Sequence, residues 1–138
     1  CGADLEEAKA RGCSYDPLTL TWLPPQCSRV GADDFTRAAD GDRPFTYYKD
    51  RKKTEVYPDL GTRLGTNIYW STAGEHVAHC AFIIIRKATA EAEGTPLDGL
   101  SSSLEHLRHC TLMLLEFARY SPHFDSINTV GNITLGSC

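Results

Sequence analysis

Two nine-residue segments of this chain carry the same metal-binding side chains in the same order. They occupy residues 72–80, TAGEHVAHC, and residues 102–110, SSLEHLRHC. Each segment places two histidines three positions apart and a cysteine directly after the second. On a helix, side chains three and four positions apart share one face, so the two imidazoles and the sulfur of a segment would converge. Such a group of nitrogen and sulfur donors is typical of zinc and copper sites.

Both segments also begin as helices commonly begin. Thr72 precedes Glu75 by three positions and Ser102 precedes Glu105 by three, which is the spacing of a capping box. We therefore predict helices over about residues 73–92 and 103–120, with the histidines near their N-terminal ends. The two glutamates are interpreted as capping residues, and no catalytic acid or base is assigned.

The role of the two cysteines decides the ligand set. If Cys80 and Cys110 were thiolates, one histidine of each pair would complete a structural Cys2His2 zinc site. In an oxidising compartment we favour a Cys80–Cys110 disulfide, which leaves the four histidines of the segments as ligands. These are His76, His79, His106 and His109.

An all-imidazole set suits copper or zinc, and copper fits an oxidative function, so copper is the expected cofactor and zinc the alternative. The chain has five histidines, His123 being the fifth. A dinuclear centre with three histidines per ion is therefore excluded within one chain. One ion bound by four histidines, or two ions with two each, remain. The alternative without metal is that the histidines form hydrogen bonds with neighbours at two well-capped helices.

A shared site requires the two helix N-termini to meet. The segment between the predicted helices, residues 93–102, is long enough to return along the first helix, at about 3.3 Å per residue. We therefore expect crossed or roughly parallel helices. A tight antiparallel pair would hold the two motifs apart.

The rest of the chain predicts a mainly α fold with a small β-hairpin and disulfide-stapled loops, forming a single domain over residues 1–138. Short helices are expected at residues 3–11 and 32–39, and strands at 45–48 and 54–57 around a solvated lysine-rich turn. The two long helices are apolar around most of their circumference, which is typical of central helices. Arg86 and Lys87 would mark a point where the first helix reaches the surface.

Six cysteines in 138 residues favour disulfides and an oxidising compartment, either the secretory lumen or the extracellular space. The preferred pairs are Cys13–Cys27 and Cys1–Cys138. The sequon at Asn132 is compatible with a secreted glycoprotein. A net charge of -4 argues against a nucleic-acid partner. No apolar stretch is long enough to span a bilayer, so a membrane anchor or signal would lie outside these residues.

At its paired motifs, His76-Val-Ala-His-Cys80 and His106-Leu-Arg-His-Cys110, the chain resembles the UstYa-type fungal proteins of secondary-metabolite biosynthesis. The resemblance covers about residues 72–115 and does not extend to the N-terminal part. It implies a lumenal domain behind a single N-terminal membrane anchor. It also implies oxidative tailoring of peptide or polyketide-like molecules, such as cyclisation, hydroxylation or halogenation, with copper held by the four histidines.

The sequence thus leads to two hypotheses of different classes. The first is a copper-dependent oxidative tailoring enzyme acting on a peptide or small secondary metabolite. The second is a non-catalytic secreted metal-binding or interaction domain with a structural zinc site. A pocket beside the metal site would favour the enzyme, and a site closed by four protein ligands would favour the second hypothesis.

Overall fold

The computed structural model describes residues 1–39, 44–62, 68–127 and 129–131. Within them the chain forms five helices and one two-stranded antiparallel sheet. The elements in chain order are α1 (Leu5–Ala10), β1 (Ser14–Asp16), β2 (Thr21–Leu23), α2 (Ala32–Arg37), α3 (Ala73–Glu93), α4 (Gly99–Ser102) and α5 (Leu104–Arg119). The predicted mainly α fold with a small hairpin is confirmed.

The two long helices begin at hydroxyl caps. The Thr72 hydroxyl accepts a hydrogen bond from the Glu75 backbone N–H at 3.2 Å, as predicted, and α3 ends at Gly94 in the left-handed conformation. The cap of α5 is Ser103, whose hydroxyl accepts from the His106 N–H at 3.2 Å, so the predicted Ser102 cap is wrong. Ser102 is instead the last residue of α4, a separate helical turn capped by Asp98.

The β-hairpin lies nearer the N-terminus than predicted. β1 and β2 pair with Tyr15 opposite Trp22, and the Asp16 carboxylate accepts from the Thr19 N–H at 2.9 Å to close the connecting loop. Residues 45–48 and 54–57 form no strands. Tyr48 makes only isolated bridges there, to Val56 and Trp70. The lysine-rich turn between them is largely exposed, as predicted.

Two apolar clusters join the helices. One contains Leu18, Ala32, Phe35 and Ile83, with Phe45, Ala78, Phe82 and Leu107 packed against it. The other contains Cys80, Cys110 and Met113, with Val77, Ile84 and Leu114. α3 thus contacts both clusters from several sides and is a central helix.

α5 packs against α3 through a single stripe of its surface, so the predicted pair of packed motif-bearing helices is confirmed, with α5 the more exposed of the two. Its Leu112 and Phe117 are 54% and 44% exposed. Its residues in the two clusters, Leu107, Cys110, Met113 and Leu114, follow the spacing of one helix face. The apolar run of α5 therefore continues around onto the solvent side.

The disulfide pattern differs from the predicted one. Cys1 pairs with Cys13, so the predicted Cys13–Cys27 and Cys1–Cys138 bonds are both wrong. Cys27, Cys80 and Cys110 are free thiols, and the predicted Cys80–Cys110 bridge is also wrong. Cys138 and Asn132 lie outside the described residues.

The Cys1–Cys13 disulfide is compatible with an oxidising compartment. Among the helices of the described part of the chain, none combines the length and apolar character needed to cross a membrane.

Arg86 does not mark a surface exit of α3. It is fully buried, and its guanidinium contacts the Asp16 carboxylate at 3.0 Å and donates to the Val30 carbonyl at 2.8 Å. A charge buried without a partner destabilises the fold. Here the Asp16 carboxylate of the hairpin and the Val30 carbonyl of the following loop supply the partners. The neighbouring Lys87 is partly exposed and pairs with Glu91.

Candidate metal centre

The order of contacts between α3 and α5 is antiparallel. Moving along α3, His76 packs against His109 and His79 against His106, while Arg86, further on, lies beside Asp98, which precedes both α4 and α5. Of the expected arrangements, crossed or roughly parallel, this contact order excludes the parallel one. The motifs meet nevertheless, because the segment after Gly94 returns along the side of α3 and starts α5 opposite the middle of that helix.

The structure brings the four predicted histidines together. The ring centroids of His76 and His109 are 5.5 Å apart and those of His79 and His106 are 5.4 Å apart. Within each helix the two rings lie 6.3 Å apart. We call these four residues the histidine cluster, with His79 and His106 as its inner pair and His76 and His109 as its outer pair.

Backbone carbonyls orient both rings of the inner pair. His79 Nδ1 lies 2.7 Å from the Leu18 carbonyl oxygen, and His106 Nδ1 lies 3.2 Å from that of Leu100. A carbonyl can only accept, so each Nδ1 carries the proton and donates it. In a neutral ring, the remaining nitrogen, Nε2, then has a free lone pair.

Those two free nitrogens face each other. His79 Nε2 and His106 Nε2 are 3.4 Å apart. Two neutral imidazoles with both Nδ1 positions protonated cannot hydrogen-bond through Nε2, because neither nitrogen has a hydrogen to donate. A proton or a metal ion between the two lone pairs turns this contact into a favourable one.

Cys110 places a sulfur beside this pair. Its Sγ lies 3.7 Å from His106 Nε2, and the side chain is fully buried. Burial raises the pKa of both the Cys110 and the Cys80 thiol.

Two of the three separations among the candidate ligand atoms fit one tetrahedral ion. The candidate ligand atoms of His79, His106 and Cys110 all lie within 4.8 Å of one another. Two nitrogens at about 2.0–2.1 Å from an ion lie about 3.3–3.4 Å apart at the tetrahedral angle, and a sulfur at about 2.3 Å lies about 3.6 Å from each. The observed separations of 3.4 and 3.7 Å match both values.

The prediction that all four imidazoles bind an ion stays a prediction. The structure gathers the four rings, and the compact group of ligand atoms combines the inner pair with Cys110. That sulfur had been interpreted as part of a disulfide rather than as a ligand. The sequence does not reveal which histidine of each motif faces inward.

Burial sets the charge state of the inner pair. It lowers the pKa of both His79 and His106 from the ordinary value of 6.5, and it outweighs the hydrogen bonds to the carbonyls, which act in the opposite direction. Both imidazoles are therefore neutral at pH 7. A neutral imidazole is the form that binds metal.

A cavity of about 310 Å³ opens beside the inner pair. Its lining residues are Thr19, Leu20, Tyr69, Ser71, Glu75, His76, His79, Leu100 and His106. The lining is largely polar and includes three of the four clustered histidines. A small molecule or an exposed side chain of a larger substrate could approach the candidate ligands from this side.

Glu75 places a carboxylate in this cavity. The side chain is 5% exposed, and its Oε1 accepts a hydrogen bond from the Tyr47 hydroxyl at 3.2 Å. Burial, and then the Glu75 charge, raise the pKa of Tyr47, so the phenol stays protonated as the donor. The Tyr69 ring packs edge-on against Tyr47 at 5.4 Å. Glu75 thus has more than the capping role assigned to it from sequence, whereas Glu105 is exposed.

Sequence reasoning missed the residues that come from outside the motifs. The carbonyls of Leu18 and Leu100 belong to the backbone, so the residue type gives no sign of their role. Tyr47 and Tyr69 lie outside the motifs and outside α3. Arg86 offered one signal, a charge on an apolar helix that can be buried only with a partner. We interpreted this charge as a surface position, whereas Arg86 is fully buried with partners.

Comparison with known proteins gives distant relatives. The phomopsin biosynthesis cluster proteins B and B′ of Diaporthe leptostromiformis are each 24% identical to the chain over 124 residues. The matches cover 84% of the chain and 36% of each relative, so the chain spans about a third of the length of these proteins. No family model matches the chain, and no solved structure matches it.

Proposed function

We propose that the chain is the metal-binding domain of a copper-dependent oxidative tailoring enzyme. In this proposal, the inner pair of the histidine cluster supplies two indispensable ligands, and Cys110 or the outer pair completes the set. The observation that carries the proposal is the contact of 3.4 Å between His79 Nε2 and His106 Nε2. Both nitrogens are acceptors there, and a bound cation gives them a common partner.

The cavity supports an enzyme rather than a closed structural site. It gives a second molecule access to the inner pair from the side lined by Tyr69 and Glu75. Copper bound there would supply one-electron redox chemistry toward O2. Glu75, held by Tyr47, would accept a proton from a bound substrate.

Secondary-metabolite biosynthesis is the proposed context. The two relatives are named for the phomopsin biosynthesis cluster, and the paired motifs resemble those of UstYa-type proteins. We therefore propose a peptide or small secondary metabolite as substrate. The disulfide favours the secretory lumen or the extracellular space as the location, with any membrane anchor outside these residues.

Metal analysis tests the proposal directly. The protein is purified without added metal and its metal content is measured; a Cu²⁺ titration is followed by electron paramagnetic resonance, and redox cycling is followed by O2 consumption with a reductant. We expect copper to bind and to cycle between oxidation states, and His79→Ala or His106→Ala to weaken the binding strongly and to abolish the redox cycling. His123→Ala is the matched control, since His123 is exposed and outside the histidine cluster. A wild-type protein that binds neither copper nor zinc would refute the metal site.

A structural zinc site is the second candidate, and the position of Cys110 favours it. The separation of 3.7 Å between its sulfur and His106 Nε2 matches that of a tetrahedral thiolate ligand. Co²⁺ substitution distinguishes the two functions, because a cobalt–thiolate bond gives a charge-transfer band in the near ultraviolet. The structural site would be supported over the oxidase by three results: a band that Cys110→Ser removes, tight zinc binding and no redox cycling.

A further inference from the structure

The buried Arg86 lies between two loops that each supply one carbonyl to the inner pair. The first loop runs from Asp16 at the end of β1 to Leu18, and the second runs from Asp98 into α4 at Leu100. In each loop an aspartate near the guanidinium precedes, by two residues, the leucine whose carbonyl accepts from a histidine. The same spacing therefore occurs twice around one arginine.

The first loop is held by both oxygens of Asp16. Oδ1 accepts from the Thr19 N–H at 2.9 Å, and Oδ2 contacts Arg86 Nη2 at 3.0 Å. Arg29 adds a contact to Oδ2 at 3.3 Å. The turn that presents the Leu18 carbonyl is thereby fixed relative to α3, the helix that carries both Arg86 and His79.

The second loop is held in a similar way through Asp98. Its Oδ1 accepts from the N–H groups of Leu100 and Ser101, both at 2.9 Å, and its Oδ2 lies 3.6 Å from Arg86 Nη1. The latter contact is an ion pair longer than a hydrogen bond. It ties α4, and with it the Leu100 carbonyl, to the same guanidinium.

We infer that Arg86 is a positioning residue for the metal site. It fixes the two loops whose carbonyls hold His79 and His106 in the Nδ1–H tautomer, so that both Nε2 atoms face the ion position. Arg86 and Asp16 are fully buried and Asp98 is 8% exposed, so solvent screens these contacts weakly. This inference rests on the proposed metal function, and its primary test is made without metal.

Imidazole ¹⁵N NMR of the metal-free protein reports the tautomer of each histidine. We expect Nδ1–H for both inner histidines of the wild type. Asp98→Asn should produce a mixed tautomer at His106 and leave His79 unchanged, whereas Asp16→Asn should do the reverse. Each asparagine keeps the oxygen that accepts from its own loop, so both variants are conservative. General loosening of the fold would instead change both rings together.

Arg86→Lys should perturb both rings, since an ammonium group cannot match the guanidinium fork. We expect copper affinity to fall about 10- to 100-fold in this variant, the usual effect of losing support for a ligand. Lys87→Met, which removes the adjacent partly exposed charge, is the control and should change neither the tautomers nor the affinity.

Two results separate this inference from the proposed function. Unchanged tautomers in all three variants, Arg86→Lys, Asp16→Asn and Asp98→Asn, would overturn the positioning role even if copper binds. The expected tautomer changes in a protein that binds no metal would support the positioning role and refute the metal function.

Discussion

The two copies of the nine-residue motif share their glutamate, both histidines and their cysteine, and have very different surroundings. In the first copy Glu75 is buried at the third position of α3, whereas in the second copy Glu105 is exposed at the second position of α5. The position of the glutamate relative to the histidines is the same in both copies, so the difference comes from what packs against each helix start: Glu75 accepts a hydrogen bond from the Tyr47 hydroxyl. A repeat in sequence is therefore not a repeat in environment.

The antiparallel contact order also gives the two histidines of each copy different roles. The second histidine of the first copy, His79, meets the first histidine of the second copy, His106, and both are held by carbonyls. The remaining two form the stacked outer pair, with His109 exposed. Substitutions that treat the copies as equivalent should therefore give unequal results.

The largest contrast is expected in the packing of the two helices. Ile83 of α3 is fully buried, and Ile83→Ala should lower the free energy of unfolding by about 2–5 kcal/mol, because it removes apolar contacts and leaves a cavity. Leu112 of α5 is 54% exposed, and Leu112→Ala should change the free energy by less than about 0.5 kcal/mol. Urea denaturation at constant m-value measures both. Equal losses would show that α5 is as buried as α3.

The next contrast is between the inner and outer histidines. His79→Ala or His106→Ala should weaken copper binding by about 100-fold or more. A residue that only supports a ligand typically costs about 10- to 100-fold, and loss of a ligand itself should cost at least as much. His109→Ala should weaken it by less than about 10-fold if the ion is held by the inner pair and Cys110. Competition titrations against a chelator of known affinity give these ratios. Losses of equal size at all four histidines would instead establish the four-imidazole site predicted from sequence.

A smaller contrast is expected between the two glutamates. Glu75→Ala removes the acceptor of the buried Tyr47 hydroxyl and should lower the free energy of unfolding by about 1–3 kcal/mol. Glu105→Ala, at an exposed position, should change it by no more than about 0.5 kcal/mol. Thermal and urea unfolding of the metal-free proteins measure the difference. A neutral effect of Glu75→Ala would mean that its carboxylate is not required to satisfy Tyr47.

Local sequence signals predicted the long helices well. Thr72 and Gly94 delimit α3 through cap chemistry that acts within one turn, and the predicted range of residues 73–92 differs from the observed one by one residue. The presence of both histidine motifs near helix starts followed from the same signals. Capping is a local interaction, so the residues that determine it lie next to each other in the sequence.

The contacts that assemble the site are not local. The Leu18 carbonyl is 61 positions from His79, and Asp16 is 70 positions from Arg86. Such pairings depend on how the hairpin and α4 pack on α3, which helix periodicity does not specify. The sequence therefore predicted the residues of the cluster and misjudged the hairpin position and the disulfide partners.

The smallest contrast is expected among the residues that cap, or were predicted to cap, α3 and α5. Thr72→Ala and Ser103→Ala should each lower the free energy of unfolding by about 1 kcal/mol, since each removes the side-chain acceptor of an otherwise unpaired helix N–H. Ser102→Ala should have a much smaller effect, because the Ser102 hydroxyl donates to the Gly99 carbonyl and does not cap α5. Denaturation of the three single variants decides between the adjacent serines. A larger loss for Ser102→Ala than for Ser103→Ala would move the start of α5 back by one residue and would place Glu105 where Glu75 stands in the first copy.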